Sequence, residues 1–179
     1  MRKIIHKVFF AWDFDKEEKW LNELAAKGLS LIGVGLFRYE FEETLPGEYS
    51  YKLELLEKNI NHPESQQYLA FLEETGAEHV GSWIRWAYLR KKRSEGEFEL
   101  FSDNASRAKH LVRILTLIGV IGALNLLAFF YNLTIFFIFH NSVSLFSLLN
   151  LLLALLFTFG FIRLWRKRKK LKTEQSLFE

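Results

Sequence analysis

The feature that most constrains this chain is a stretch of 49 residues without a charged side chain. Arg113 is the last charged residue before the stretch, and Arg163 is the first one after it. Soluble domains carry a charged side chain at about one position in four, so such a stretch is unusual for a chain folded in water. The soluble alternative is an apolar hairpin buried in a protein core, and the other residues are too few to cover it. The stretch therefore predicts that the chain spans a membrane.

The uncharged stretch divides into two apolar segments of membrane-spanning length. About 20 apolar residues, each rising about 1.5 Å in a helix, cross the hydrocarbon core of a bilayer. Residues 114–139 and 145–162 fit that length, and residues 140–144 between them fit a turn. We expect a two-helix transmembrane hairpin, with a juxtamembrane helix at 103–113 and a basic tail at 163–179.

Basic residues flank the hairpin on both outer sides, whereas the turn has none. Lys and Arg collect on the cytoplasmic side of membrane segments. This pattern predicts a multi-pass protein of the plasma membrane with both termini in the cytoplasm. Neither apolar segment contains an ionisable residue, which disfavours a transport role.

Three amide side chains lie inside the apolar segments. Because hydrocarbon offers no hydrogen-bond partner, such amides tend to face another helix. Asn125, Asn132 and Asn150 are therefore predicted to make interhelical contacts, either within the hairpin or in an oligomer.

The remaining residues, 1–102, form a predicted cytoplasmic domain with little net charge. Up to Arg113 the chain has 17 Lys and Arg against 19 Asp and Glu, so we expect no nucleic-acid binding. Cysteine is absent, which excludes disulfides and thiolate zinc sites. The histidines show no metal-binding spacing, and no phosphate-binding loop or nucleophile elbow is present. We predict no metal, no cofactor and no catalytic residue.

Hydrophobic periodicity predicts that this domain is α+β. Runs rich in β-branched and aromatic residues predict strands, and apolar stripes that end at glycine predict helices. A capping-box pattern at Asp15 and Glu18 marks the first helix start. The predicted elements are strands at 4–12, 29–42, 49–55, 80–93 and 97–102, and helices from Asp15 to Gly28 and from Pro63 to Gly76. Their order suggests a ferredoxin-like βαββαβ(β) domain with one antiparallel sheet.

Two hairpins would align apolar residues with apolar ones and opposite charges with each other. One would turn at Leu45-Pro46-Gly47, with Gly47 in a left-handed conformation, and the other at Ser94-Glu95-Gly96. The predicted cross-strand pairs are Phe41–Tyr51, Tyr39–Leu53, Glu40–Lys52, Arg38–Glu54, Arg93–Glu97 and Lys91–Glu99.

Aromatic residues are the most suggestive feature of the domain. We predict that several share one sheet face, which is either a core or a surface that binds an apolar ligand, a peptide or a neighbouring membrane protein. The residues of this possible binding face are Trp12, Tyr39, Tyr51, Trp83 and Trp86.

Several of these residues lie in runs that resemble the DUF2812 family over about residues 1–110. The runs are Phe10 to Glu23 with Lys27-Gly28, Pro46 to Leu56, Trp83, Trp86, and Glu99 to Ser102. The resemblance implies membership of a bacterial family without a known activity. Its members often carry C-terminal transmembrane helices and are often encoded near PadR-like regulators.

These features predict a membrane-anchored cytoplasmic binding or regulatory module that is not an enzyme. The alternative is an accessory subunit of a larger, transporter-like membrane complex. The expected partners are the lipid bilayer and either another protein or further copies of this chain, and a small-molecule ligand is a further alternative.

Overall fold

The computed structural model describes residues 2–101, 103–139 and 145–175. The chain forms two compact units, Met1–Ser102 and Asp103–Glu179. Among the described residues, the first unit contains all the strands and two short α-helices, and the second contains two long helices.

The first unit has six strands and two helices, arranged in two antiparallel sheets of three strands. One sheet has the order β1-β3-β2 and the other the order β4-β6-β5. The elements are β1 (Arg2–His6), α1 (Phe14–Ala25), β2 (Leu29–Gly35), β3 (Arg38–Glu43), β4 (Tyr49–Leu55), α2 (Pro63–Glu74), β5 (Glu78–Trp83) and β6 (Trp86–Lys92). The α+β class is therefore confirmed.

The first unit consists of two repeats of one β-α-β-β motif. In each repeat the last strand lies in the middle of its sheet, because β3 lies between β1 and β2, and β6 between β4 and β5. Matching elements begin 47–49 residues apart, and the glycines that follow the two helices are 48 apart. Gly28 and Gly76 follow their helices, as predicted, and both have left-handed backbones (φ 79° and 87°). The second strand of each repeat has a register shift that ends at Gly33 or Gly81.

The predicted hairpin between β3 and β4 is wrong. Both edges of β3 are occupied, by β1 and β2, so β4 pairs with β6 instead. Phe41 lies opposite Lys3 and Leu31, and Tyr51 lies opposite Arg90. Gly47 has the expected left-handed backbone (φ 75°), but its turn links the two repeats. The ferredoxin-like order, which needs one sheet, is not confirmed.

The other three predicted pairs of that hairpin also fail. Tyr39 lies opposite Ile5 and Val34, and Leu53 lies opposite Tyr88. The charged residues have other partners too. Arg38 lies opposite His6 and Gly35, and its guanidinium pairs with Glu40 at 2.9 Å. Glu54 is only 1% exposed, and its carboxylate accepts a hydrogen bond from the Tyr68 hydroxyl at 2.8 Å. Glu40 and Lys52 belong to different sheets.

Each of the two long predicted strands is a hairpin of two strands. Residues 29–42 fold back at Leu36-Phe37, and residues 80–93 fold back at Ile84-Arg85. Neither turn contains Gly, Asn, Asp or Pro, so the usual turn signals are absent. Phe37 (φ 55°) and Ile84 (φ 57°) adopt the left-handed backbone themselves, which is uncommon for a bulky residue and unfavourable for a β-branched one.

The predicted return strand at 97–102 is not formed by the residues described there. Residues 93–95 make a short 3-10 turn, and residues 96–101 have no regular secondary structure. The Arg93–Glu97 and Lys91–Glu99 pairs are therefore wrong, since Lys91 lies opposite Ser50 in β4. Burial of Phe98 explains why no return strand forms, because this side chain packs in the hydrophobic core beside α2.

The start of α1 also differs from the prediction. The first strand ends at His6, and the helix begins at Phe14 with Asp13 as its N-cap residue, so the capping box of Asp15 and Glu18 is wrong. Glu18 points to β4, where its carboxylate accepts a hydrogen bond from the Leu53 N–H. The start of α2 is as predicted, with Pro63 in its first turn.

The second unit is a pair of helices, α3 (Asn104–Phe139) and α4 (Leu145–Gln175), that pack along each other. The Asp103 carboxylate caps α3 by accepting a hydrogen bond from the Ser106 N–H at 2.6 Å. Gly122 lets the helices approach, because a Cβ there would lie 3.1 Å from the Cβ of Phe157. The predicted turn at 140–144 lies outside the described residues.

Both long helices are apolar and long enough to cross a membrane. Within the most apolar 18-residue window of each helix, only 17% of the residues are buried. The apolar side chains of this unit are therefore largely exposed, which is compatible with a membrane protein.

Candidate functional site

The five aromatic residues of the predicted binding face do not form one open surface. Trp12, Tyr39 and Tyr51 are at most 4% exposed and belong to the core. Trp86 is half-buried, and Trp83 is 36% exposed at the end of β5. Polar side chains lie among these rings, and they form the candidate site.

A buried carboxylate, that of Glu17, lies at the centre of the aromatic core. Glu17 is on α1 and is 7% exposed. Its Oε1 accepts hydrogen bonds from the Tyr39 hydroxyl at 2.6 Å and the Tyr88 hydroxyl at 2.5 Å. Tyr39 belongs to β3 of the first repeat and Tyr88 to β6 of the second, so the carboxylate joins the two repeats.

The surroundings of Glu17 disfavour its charge. Burial raises the pKa of the carboxyl, and the two tyrosine hydrogen bonds act in the opposite direction. Burial, and after it the charge of Glu17, raises the pKa of Tyr39 and Tyr88, so both phenols remain donors. Among the described residues, no Lys, Arg or His forms an ion pair with Glu17. Burying such a charge without a cation costs on the order of several kcal/mol.

Aromatic rings surround the hydroxyls that hold Glu17. The Trp20 ring packs edge-on against Tyr39 with centroids 5.0 Å apart, and Phe9 and Tyr88 each lie 6.4 Å from Tyr39. The Lys7 ammonium lies 4.6 Å from the centroid of the Trp20 ring. The centre therefore combines an acid, two phenols and aromatic faces, which is the chemistry that stabilises a proton or a cation.

A second buried network joins the same two repeats through Tyr51. Its hydroxyl accepts a hydrogen bond from the Leu31 N–H at 2.8 Å and bonds to the Ser30 hydroxyl at 2.8 Å. The Arg90 guanidinium donates to Ser30 at 2.9 Å and pairs with Glu78 at 2.7 Å. Burial raises the pKa of Tyr51, with Ser30 acting against it. This network links β2 of the first repeat to β4 and β6 of the second.

Helix α1 also covers the free edge of β4. The Asn22 amide donates to the Tyr51 carbonyl and accepts from the Tyr51 N–H, both at 3.0 Å. Glu18 accepts from the Leu53 N–H and pairs with Lys52 at 3.2 Å. Two side chains of α1 thus replace part of a neighbouring strand, and they protect an edge that could otherwise pair with another chain.

Sequence reasoning missed Glu17, although the sequence contained a signal. The buried positions of α1 are Phe14, Glu17, Leu21 and Ala25, which share one face of the helix. A single acid among apolar residues at that spacing is unusual, because a buried acid needs partners. Its partners, Tyr39 and Tyr88, are far away in sequence and could not be inferred from spacing.

Two of the three amides predicted to make interhelical contacts donate a hydrogen bond within their own helix. The Asn125 amide donates to the Ile121 carbonyl at 2.9 Å, and the Asn132 amide donates to the Ala128 carbonyl at 2.7 Å. Both bonds stay within α3. Asn150 lies half-buried on α4. Contacts between these amides and another helix remain a prediction.

The described residues contain no group of three or more His, Cys, Asp or Glu side chains that could hold a metal ion. The candidate site is the buried acid Glu17, whose hydrogen bonds join the two repeats. A proton or a cation at this acid would change those bonds.

Comparison with known proteins gives one family. No curated protein and no solved structure matches the chain. A family described as protein of unknown function, DUF2812, matches residues 13–123, which include most of the first unit and the first part of α3. Because this match covers more than half of the sequence, the chain belongs to the DUF2812 family.

Proposed function

We propose that this chain is a membrane-anchored binding or regulatory module, with the α3–α4 pair in the plasma membrane and the α+β unit in the cytoplasm. The exposure of α3 and α4 carries the proposal, because only 17% of the most apolar window of each helix is buried, and such exposed apolar helices favour an apolar phase around them. A core helix of a soluble protein would be mostly buried. The basic residues at 163–172 support the proposed orientation, because Lys and Arg collect on the cytoplasmic side of membrane segments.

The centre at Glu17 supports a binding or sensing role for the α+β unit. The hydroxyls of two tyrosines donate hydrogen bonds to the Glu17 carboxylate, which is buried away from solvent. A catalytic acid would need access to a substrate. A sensing element needs two states, and the protonated and charged forms of Glu17 differ in the hydrogen bonds that they make across the repeats.

Membrane insertion and orientation are tested with single cysteines, since the natural chain has none. Ser142→Cys, between the two helices, should react with a membrane-impermeant maleimide in intact cells. Ser94→Cys, exposed in the first unit, and Thr173→Cys, exposed near the end of α4, should react only after permeabilisation. Labelling of Ser94→Cys in intact cells would contradict the orientation. Release of the protein by alkaline carbonate would contradict insertion.

A photo-crosslinking amino acid, introduced at one of two positions, distinguishes the hypothesis of a binding module from that of an accessory subunit. It would replace Trp83, which is exposed on the α+β unit, or Leu149, which is 49% exposed on α4. A protein partner captured from Trp83 favours the binding module. A partner captured only from Leu149 favours the accessory subunit of a membrane complex.

A further inference from the structure

An apolar cavity between α3 and α4 adjoins a basic cavity on α4, and the two together are called the groove. The apolar part is a cavity of about 470 Å³, lined by Val112, Leu115 and Val120 of α3 and by Phe161 and Trp165 of α4. The basic part is a second cavity of about 320 Å³, lined by Lys169 and Lys172 of α4. Trp165 and Arg168 line both cavities, so the two adjoin.

Arg168 lies at the change from apolar to basic. Its Nε is buried and has no hydrogen-bond partner among the residues that the structure describes. A buried donor without a partner costs about 1–3 kcal/mol. The side chain as a whole is only half-buried and lines both cavities, so its guanidinium is open to an acceptor from outside the chain. The Lys169 ammonium lies 5.7 Å from the Trp165 ring centroid, which adds a second cation at the same level.

The position of Arg168 along α4 fits the headgroup region of a bilayer. It lies six residues after Ile162, the last residue of the uncharged stretch, which is about 9 Å along a helix. Helical side chains lean toward the N-terminus, so that of Arg168 leans back toward the apolar segment. The headgroup layer is about 5–7 Å thick on each side, and the guanidinium therefore reaches phosphate depth.

We propose that this groove is a specific site for one anionic phospholipid. The phosphate accepts charge-assisted hydrogen bonds from Arg168 and attraction from Lys169 and Lys172, while an acyl chain lies along Val112 and Val120. The apolar cavity that continues from the basic one favours a lipid over a free phosphate ion. The inference rests on the proposed membrane insertion, and it adds a defined site to the diffuse attraction of a basic tail.

Trp165 is a built-in reporter, because the other four tryptophans lie in the first unit. Full-length protein would be reconstituted into vesicles of phosphatidylcholine with a small fraction of phosphatidylglycerol. Bromine on the acyl chains of either lipid quenches a tryptophan in contact with that lipid. We expect brominated phosphatidylglycerol to quench Trp165 more strongly than the same fraction of brominated phosphatidylcholine.

The decisive comparison is between two arginines of one helix. Arg168→Gln removes the groove guanidinium, and Arg166→Gln removes an exposed one that does not line the groove. We expect Arg168→Gln to lower the relative affinity for phosphatidylglycerol by about tenfold or more. Arg166→Gln, which changes only the diffuse attraction, should lower it by about fivefold or less. Equal losses would overturn the site in favour of diffuse attraction.

A third variant tests the acyl-chain part without changing charge. Val120→Phe places a larger side chain at a position that is 54% exposed, so the helix pair tolerates it, and it should reduce quenching by brominated phosphatidylglycerol. Unchanged quenching would overturn the acyl-chain assignment. In detergent micelles, displacement of the brominated lipid by inorganic phosphate at constant ionic strength would overturn the lipid assignment.

The quenching measurement also distinguishes failure of the proposed lipid site from failure of the proposed membrane insertion. Equal quenching by both brominated lipids in the natural protein would overturn the site and leave membrane insertion standing. Quenching by neither lipid would overturn both.

Discussion

Tyr51→Phe tests how strongly the buried network holds the two repeats together. The side chain is 1% exposed, and only its hydroxyl oxygen is removed. β2 is an edge strand of its sheet, so the Leu31 N–H, which points away from β3, depends on that hydroxyl. Leaving a buried N–H without a partner costs about 1–3 kcal/mol, and losing the bond to Ser30 adds about 0.5–1.5 kcal/mol.

The sum is about 1.5–4.5 kcal/mol of unfolding free energy for the first unit. For a domain of about 100 residues, each kcal/mol lowers the melting temperature by about 4–8 °C, so we expect a decrease of about 6 °C or more. The assay is thermal unfolding of the full-length protein in detergent, followed by near-ultraviolet circular dichroism, which reports on the aromatic core.

Tyr49→Phe is the matched control. Tyr49 is on the same strand and loses the same atom, but its ring is only half-buried and its hydroxyl is not part of the network. We expect a change of less than about 1 kcal/mol. If both variants melted within about 2 °C of each other, the reasoning from the unpaired N–H would be refuted.

Three further changes test other parts of the structure. Glu17→Gln should flatten the pH dependence of thermal unfolding above pH 4.5, the ordinary pKa of the carboxyl. The folded pKa is raised, so the natural carboxyl contributes fully below its ordinary value of 4.5, and its contribution is lost as pH rises through the folded pKa. Gly122→Val should destabilise the α3–α4 pair by about 1–3 kcal/mol, measured as heat-induced aggregation in detergent, because its side chain meets Phe157. Asn22→Ala should cost about 2 kcal/mol and increase light scattering, since it uncovers the backbone of Tyr51 at the β4 edge.

Each change has a control nearby in the chain. Glu23→Gln on the exposed side of α1 should keep the natural pH dependence, and Ala123→Val, exposed on α3, should leave aggregation unchanged. Lys19→Ala should leave light scattering unchanged. A pH profile that Glu17→Gln does not alter, or equal effects of a variant and its control, would count against the assigned contact.

Local signals in the sequence predicted the parts of the fold that local chemistry determines. Pro63 opens a helix because its φ suits the first turn, and Gly28 and Gly76 follow helices because a left-handed backbone costs them little. The α+β class followed from these boundaries. The turns at Phe37 and Ile84 could not be found in this way, because bulky residues carry no turn signal.

Strand pairing and the candidate site depend on distant residues, and both escaped sequence reasoning. The alternation in β3 and β4 fitted a hairpin between them, yet β3 pairs with β1, about 35 residues earlier in the chain. Glu17 depends on Tyr88, 71 residues later, for one of its two hydrogen bonds. A pattern along the chain reports which face is apolar, but not which element covers it.

The 48-residue repeat has a consequence for how the two halves share their tasks. The position that holds Glu17 in the first repeat holds Ser65 in the second, which is also buried, at 5% exposed. The second repeat has its own buried carboxylate, that of Glu54 on β4, but the hydrogen bond that it accepts from Tyr68 stays within that repeat. The carboxylate of Glu17 accepts its bonds from tyrosines of both repeats, and the matching position of α2 has only a hydroxyl. Protonation of Glu17 therefore changes hydrogen bonds that cross from one half of the unit to the other.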